Sequence, residues 1–218
     1  GFPYVATMLG LKQVYPGRYD PARLLQLIDR HGVTFSHCVP TILNMLLTSP
    51  RVELVDLSNW KVLIGGSALS EGLANAALAR GIDVFTAYGM SETCPLLTVA
   101  DMVAAQTDDD VSIRTATGRV APMVDLRVVD GDLRDVPHDG QSTGEIVVRA
   151  PWLVEAYVKN PEGTANLWRG GWLHTGDVGH MSRNGTVRIT DRLKDVIKSG
   201  GEWISSLALE DVASTVPG

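Results

Sequence analysis

From Asp20 to Gly89 the chain repeats one cycle: an amphipathic helical stretch, a glycine or proline stop, and a short apolar strand. Pro21 to Arg30 sets Leu24, Leu25, Leu27 and Ile28 on one side, with Asp20 as N-cap and Pro21 in the first turn, the pattern of a helix. Gly32 stops it, and Val33 to Val39 follows as a strand. The cycle continues with a helix over Thr41 to Leu47 ended by Ser49-Pro50, and a buried strand over Trp60 to Ile64. Ser70 then caps a helix over Glu71 to Arg80, and Ile82 to Tyr88 is a strand closed by Gly89. Glu71 suits the positive end of its helix and Gly81 marks its stop. Strands separated by helices pair in parallel through right-handed crossovers. Residues 1–105 are therefore expected to form part of an α/β layer on a parallel sheet.

Beyond about residue 105 the texture changes. Thr117-Gly118, Asp130-Gly131-Asp132, Asp139-Gly140 and Asn184-Gly185 punctuate short β-rich runs such as Val124 to Val129 and Glu145 to Arg149. Turns at this spacing predict antiparallel strands, a small barrel or sandwich over 106–190. Asn184-Gly185, between Val178–Met181 and Thr186–Thr190, is the strongest hairpin signal. Asp191 to Ser205 is dense in charge, contains Gly200-Gly201, and leads into an amphipathic pattern that stops at Gly218. That segment reads as a hinge touching an anionic ligand, so 191–218 is expected to be a hinge and the start of an α+β domain cut short.

Composition narrows the function classes. With 44% apolar and 20% charged residues the chain suits a folded domain rather than a disordered one. A net charge of -6 gives no footprint for nucleic acid, and the basic residues gather only from Arg183 to Lys198. Cys38 and Cys94 lack metal or redox spacing and are expected to be reduced thiols. No apolar run approaches the roughly 18 residues of a membrane span, and no signal peptide opens the chain. The expectation is a cytoplasmic protein excised from something longer, with peripheral membrane contact and a homodimer left open. His31 and His37 have no partner at metal spacing and are expected to be structural, and Asp108-Asp109-Asp110 reads as a solvated loop.

Two loops fall at the carboxyl ends of successive parallel strands: Gly65-Gly66-Ser67-Ala68-Leu69-Ser70 and Tyr88-Gly89-Met90-Ser91-Glu92-Thr93. Ligands of open α/β sheets bind at that edge. Paired glycines let backbone pass close to a flat ring or phosphate, although a plain strand-to-helix turn explains Gly-Gly-Ser equally well. The second loop is more particular, offering an aromatic face, hydroxyls for phosphate oxygens, and a carboxylate able to hold Mg²⁺. A helix-end charge is the bland alternative for Glu92. In Trp172-Leu173-His174-Thr175-Gly176-Asp177, the carboxylate suits the two hydroxyls of a ribose, or is a simple turn residue. His174 needs no role there beyond turn packing.

Taken together, Gly65–Ser70, Tyr88–Pro95, Gly144-Glu145-Ile146 with Tyr157 and Asn160-Pro161-Glu162, His174–Asp177 and Asp191–Glu202 resemble the acyl-adenylate-forming enzymes. The order and spacing agree over essentially the whole chain. Gly1-Phe2-Pro3-Tyr4, Gly10 to Val14 and Ile197 to Ser205 are similar to the bacterial medium- and long-chain fatty acyl-CoA synthetases. The resemblance implies ATP, Mg²⁺ and coenzyme A, with a fatty acid as the acid. It implies Gly65, Gly66, Ser67 and Ala68 on one face of adenine, and Tyr88, followed by Gly89, on the other. Ser91 and Thr93 would lie near the phosphates, Glu92 at Mg²⁺, and Asp177 and Arg192 on the ribose. Lys194 would be the pivot of a small C-terminal domain, with Lys198, Gly200 and Gly201 entering the site for the thiol step. The implied catalytic groups are thus Ser91, Glu92, Lys194 and Lys198.

Three elements of that family pattern are absent: a Ser/Thr/Gly-rich phosphate loop, a His-bearing segment before Gly1-Phe2-Pro3, and a C-terminal lysine. The expectation is a fragment inactive by itself. Leu43 stands where several long-chain relatives carry Trp, so Val39 to Leu47 and Met90 to Leu96 are candidate walls of an acyl pocket, against the plain alternative of ordinary core. Two other functions stay open: adenylation of another acid, such as an aryl acid or one passed to a carrier-protein thiol, and a non-catalytic nucleotide-binding module.

Overall fold

The structure is a computed structural model describing residues 2–106, 110–195, 197–199 and 202–204. The chain divides into two compact units, Gly1–Gly118 and Arg119–Gly218.

The first unit is the α/β layer. After α1 (Phe2–Met8), α2 (Pro21–His31) forms where the apolar side was read. Asp20 Oδ1 accepts the Arg23 N–H at 2.7 Å, and Gly32, at φ +57°, turns the chain out of the helix. Only a left-handed residue allows that exit cheaply. Strand β1 (Phe35–Cys38), α3 (Pro40–Leu47), β2 (Lys61–Ile64), α4 (Glu71–Leu78) and β3 (Asp83–Gly89) complete the cycle. β1, β2 and β3 pair in parallel, with Cys38 opposite Ile64 and Ile64 opposite Thr86. The helices bury Leu25, Leu43, Leu46, Ala74 and Ala77 against Val62, Ile64, Ile82 and Val84. Each fully buried Leu or Ile contributes about 1.5–3 kcal/mol, so this small core is enough to fix the strand edge that carries the loops.

In this unit the strand Leu96–Val99 and the helix Asp110–Thr115, like α1, escape the sequence pattern. β4 (Leu96–Val99) runs antiparallel to β3, with Tyr88 opposite Thr98. α5 (Asp110–Thr115) includes Asp110, which the sequence assigns to a loop; Asp108 and Asp109 lie outside the described residues. α5 belongs to the first unit. Arg114 reaches Asp83 Oδ1 at 2.5 Å and the Val84 carbonyl at 3.0 Å, while Thr86 Oγ1 donates to the carbonyls of Arg114 and Ala116. These bonds carry the unit past the change of texture near residue 105, to Gly118.

The short strand β5 (Gly118–Val120) spans the division between units. In the second unit β6 (Asp125–Val129), β7 (Gly144–Arg149), β9 (Trp172–Met181) and β10 (Thr186–Arg192) are antiparallel neighbours in the order β6-β7-β9-β10. The two-residue β8 (Trp168–Arg169) pairs β9 and directly follows α6 (Pro161–Leu167) in the chain. The Asn184-Gly185 hairpin joins β9 to β10, with the Ser182 N–H on the Thr186 carbonyl at 2.9 Å. Val128, Val129, Ile146, Val147, Val148, Leu173, Val178 and Val187 are buried. Two guanidinium groups lie over the Trp172 ring, Arg127 at 5.0 Å and Arg149 at 4.1 Å from its centroid, a stabilising cation–π arrangement. Residues Ile197–Ser199 (β11) and Glu202–Ile204 (β12) form a final antiparallel pair.

Candidate functional site

Candidate residues occur in both units. In the first, parallel pairing brings the loops after β2 and β3 to one edge. Gly65 is buried and its N–H donates to the Cys38 carbonyl at 3.2 Å. A Cβ there would lie 3.1 Å from His37 Nε2 and 3.5 Å from the Ala87 carbonyl, so the loop is pinched between β1 and β3. Gly66, at φ +87°, then releases the chain outward, leaving Gly66, Ser67 and Ala68 exposed. His37 stacks on Phe2 at 5.2 Å, and burial lowers its pKa. The Phe2 stack and the approach to Gly65 are the packing contacts of this ring.

The Tyr88–Thr93 loop is built more tightly. Cys94-Pro95 folds back over Gly89 so closely that a Cβ at Gly89 would lie 1.5 Å from the Pro95 carbonyl oxygen. No other residue fits. Ser91 to Thr93 form one 3-10 turn. Ser91 is exposed, Tyr88 and Glu92 are half-buried, and Thr93 is fully buried. Thr93 Oγ1 accepts the Met90 N–H at 3.0 Å and faces the carbonyls of Pro95 at 2.6 Å and Met90 at 3.0 Å. Thr93 therefore ties the loop to itself through its hydroxyl. Glu92 supplies one carboxylate, and no group of three His, Cys, Asp or Glu side chains is placed to hold a metal among the described residues. One carboxylate suits Mg²⁺, which keeps its waters and takes phosphate oxygens, and does not suit a protein-caged ion.

The acyl-wall expectation divides. Leu43 and Leu46 are buried in the α/β core, so the bland reading holds at position 43. Val39 is exposed, and its Cγ1 would lie 3.3 Å from a Cβ at Gly66.

In the second unit, Asp177 and Arg192 stand opposite each other on β9 and β10, with Arg192 Nε 3.3 Å from Asp177 Oδ1. Asp177 is only 6% exposed, whereas Arg192 is exposed. A carboxylate this buried needs a charge partner, and Arg192 supplies it while leaving donors to solvent. Gly176, at φ +71°, turns the chain so that Asp177 is presented. Thr175 Oγ1 donates to the Ile146 carbonyl at 2.8 Å and accepts the Asp177 N–H at 3.1 Å. Lys194 is exposed in the turn that ends β10. Lys198 lies opposite Trp203 in the β11–β12 pair, and Gly200 and Gly201 fall outside the described residues. Sequence reasoning missed Glu145 and His174 as a pair, although each stands inside a motif that the resemblance rests on; their Oε2 and Nδ1 atoms are 2.9 Å apart.

The sequence profile of the family described as AMP-binding enzyme matches residues 1–158. The chain belongs to the AMP-binding enzyme family. Among its relatives, a long-chain-fatty-acid–CoA ligase of Thermus thermophilus is 40% identical over 218 residues, which is 96% of this chain and 40% of that protein. A 3-methylmercaptopropionyl-CoA ligase of Ruegeria pomeroyi is 38% identical, over 100% of this chain and 41% of that protein. Among solved structures, the O-succinylbenzoate coenzyme A synthetase of Bacillus subtilis in complex with ATP and magnesium ion superposes with a TM-score of 0.82 at 26% identity. The match covers 97% of this chain and 42% of that one. The chain thus spans about two fifths of the length of the family members it matches. No helix among the described residues is long and apolar enough to cross a membrane.

Proposed function

We propose that the full-length protein carrying this chain activates a carboxylic acid with ATP and transfers the acyl group to the thiol of coenzyme A, a fatty acid being the preferred acid. The observation that carries the reading is the buried Asp177 carboxylate paired with Arg192, an arrangement that accepts two ribose hydroxyls while its charge stays offset. The 40% identity to a long-chain-fatty-acid–CoA ligase supports the acid class.

In this reading Gly65 to Ala68 and Tyr88 flank the adenine, and Ser91 contacts the phosphates. Glu92 would hold Mg²⁺, whose charge would offset the repulsion between the two anionic reactants. The acid's carboxylate attacks the α-phosphorus in line, the bond to pyrophosphate breaks, and the thiol later displaces AMP from the acyl carbon. The chain's contribution to the first step is alignment and charge. Residues 1–105 and 106–190 are read as the nucleotide and β subdomains, and 191–218 as the hinge, with Lys194 as pivot. Turning there would bring Lys198, Gly200 and Gly201 to the thiol step and exclude water from the anhydride.

Acid-dependent exchange of labelled pyrophosphate into ATP, run on full-length protein over an acid panel, tests this. Exchange is expected with fatty acids. A short thioether acid is the second reading, favoured by the 38% identity to a 3-methylmercaptopropionyl-CoA ligase. Exchange only with aryl acids would overturn the fatty-acid assignment, and ATP binding without exchange for any acid would leave a nucleotide-binding module.

A further inference from the structure

We infer that His174, anchored on Glu145, is a positioning residue that fixes Asp177 and through it the recognition of the ribose hydroxyls. The inference rests on the ribose reading of Asp177.

Between the pairs Glu145–Val178 and Val147–His174, β7 advances two residues while β9 advances four. Thr175, Gly176 and Asp177 are therefore looped out of that ladder. On the other flank, Asp191 pairs Val178 and Ile189 pairs Gly179, which leaves Thr190 as an extra residue in β10. Asp177 thus lies between two irregular ladders, and bulges of this kind re-aim a side chain at the cost of regular hydrogen bonds. On the β10 side Arg192 pairs Asp177 and the Leu193 N–H donates to the Gly176 carbonyl at 2.8 Å; on the β7 side the ladder skips the loop, and another contact must tie it there.

His174 is the residue at one root of that loop, and Glu145 faces Val178 at the other. The contact of His174 Nδ1 with Glu145 Oε2, at 2.9 Å, ties the two roots together. With the Nδ1 proton donated to Glu145, Arg169 joins from β8 through the carboxylate, its Nη2 3.4 Å from Glu145 Oε2. The His174 ring is buried, and its Nε2 has no hydrogen-bond partner among the described residues. An orphaned buried nitrogen costs about as much as one charge-assisted hydrogen bond returns. The imidazole therefore adds little net stability. What it adds is a fixed root geometry, with Thr175 Oγ1 on the Ile146 carbonyl completing the brace.

The test is calorimetric affinity for ATP and for 2′,3′-dideoxyATP, which lacks both hydroxyls, in the full-length protein, and it needs no knowledge of the acid. His174→Ala and Glu145→Ala should each weaken ATP binding by about tenfold, the scale of one such hydrogen bond, and leave 2′,3′-dideoxyATP binding nearly unchanged. His174→Asn, whose amide replaces Nδ1, and Glu145→Gln, which keeps an acceptor, should restore most of the discrimination. Equal weakening of both nucleotides, or a lowered Tm with discrimination intact, overturns the inference. Asp177→Ala separates the two levels. If it leaves discrimination intact, the ribose reading fails and this inference with it. If it abolishes discrimination while His174→Ala does not, only the positioning role fails.

Discussion

Replacing Thr93 with valine keeps the volume of the side chain and removes only its hydroxyl. In the structure that hydroxyl accepts the Met90 N–H at 3.0 Å and has one proton to give, with the Pro95 carbonyl at 2.6 Å as the nearer acceptor. The side chain is fully buried, so water does not replace what is lost. An orphaned amide costs about 1–3 kcal/mol and the lost donor bond about 1 kcal/mol. A total of about 2–4 kcal/mol is expected, all of it local to the loop. Local opening is read by hydrogen exchange, and that energy corresponds to roughly 30- to 850-fold faster exchange. Mass spectrometry of a peptide covering the loop from Thr86 to Ala100 should show this in Thr93→Val. Thr93→Ser, which keeps the hydroxyl and loses one methyl, should cost only about 1 kcal/mol. If Thr93→Val exchanges like the parent protein while its ATP affinity falls, the hydroxyl serves a phosphate and does not hold the loop.

Two further predictions concern charge. Burial pushes the Cys38 thiol up to about 11, against a smaller opposing effect of a backbone hydrogen bond at Leu43, while Cys94 is exposed. At pH 8 only about one in a thousand Cys38 thiols is ionised, so iodoacetamide should label Cys94 and spare Cys38 until unfolding; rapid native labelling of Cys38 would refute its burial. For Asp83, burial opposes the charge, but Arg114 and Lys61 outweigh it and hold the carboxyl below its ordinary value. A lowered folded value means stability that is fully present above the ordinary carboxylate pKa of about 4 and is lost as pH falls through the folded value. Asp83→Asn should therefore lower the Tm at pH 7 and flatten its decline on acidification below about pH 4. A variant that retains the parent's acid slope would show that the Arg114 pairing contributes nothing.

The α/β half was legible because its signals are local. Asp20, Ser70, Gly32 and Gly81 punctuate helices whose apolar sides face one core, and the strands between them had to be parallel. The Asn184-Gly185 hairpin was legible for the same reason. What escaped depends on tertiary contacts. Leu96 to Val99 reads as the tail of a motif and becomes a strand only because Tyr88 and Thr98 come opposite each other. α5 is fixed by Arg114 reaching back to Asp83, a pairing no local pattern discloses. Within the site, residue types indicated which loops carry chemistry, but not direction. Thr93 points inward and Leu43 joins the core. His174 and Glu145, both visible in their motifs, could not be joined until the looped-out stretch of β9 set them side by side.

That stretch also bears on how such a chain persists through variation. Were two of the residues between His174 and Val178 deleted, β9 would meet β7 in even register, and the sheet would be more regular than it is. Screening for stability alone would tolerate or favour that loss, since irregular ladders and a buried carboxylate both work against folding. On the ribose reading the looped-out stretch serves the site and not the sheet, and a library propagated only for solubility should shed it early.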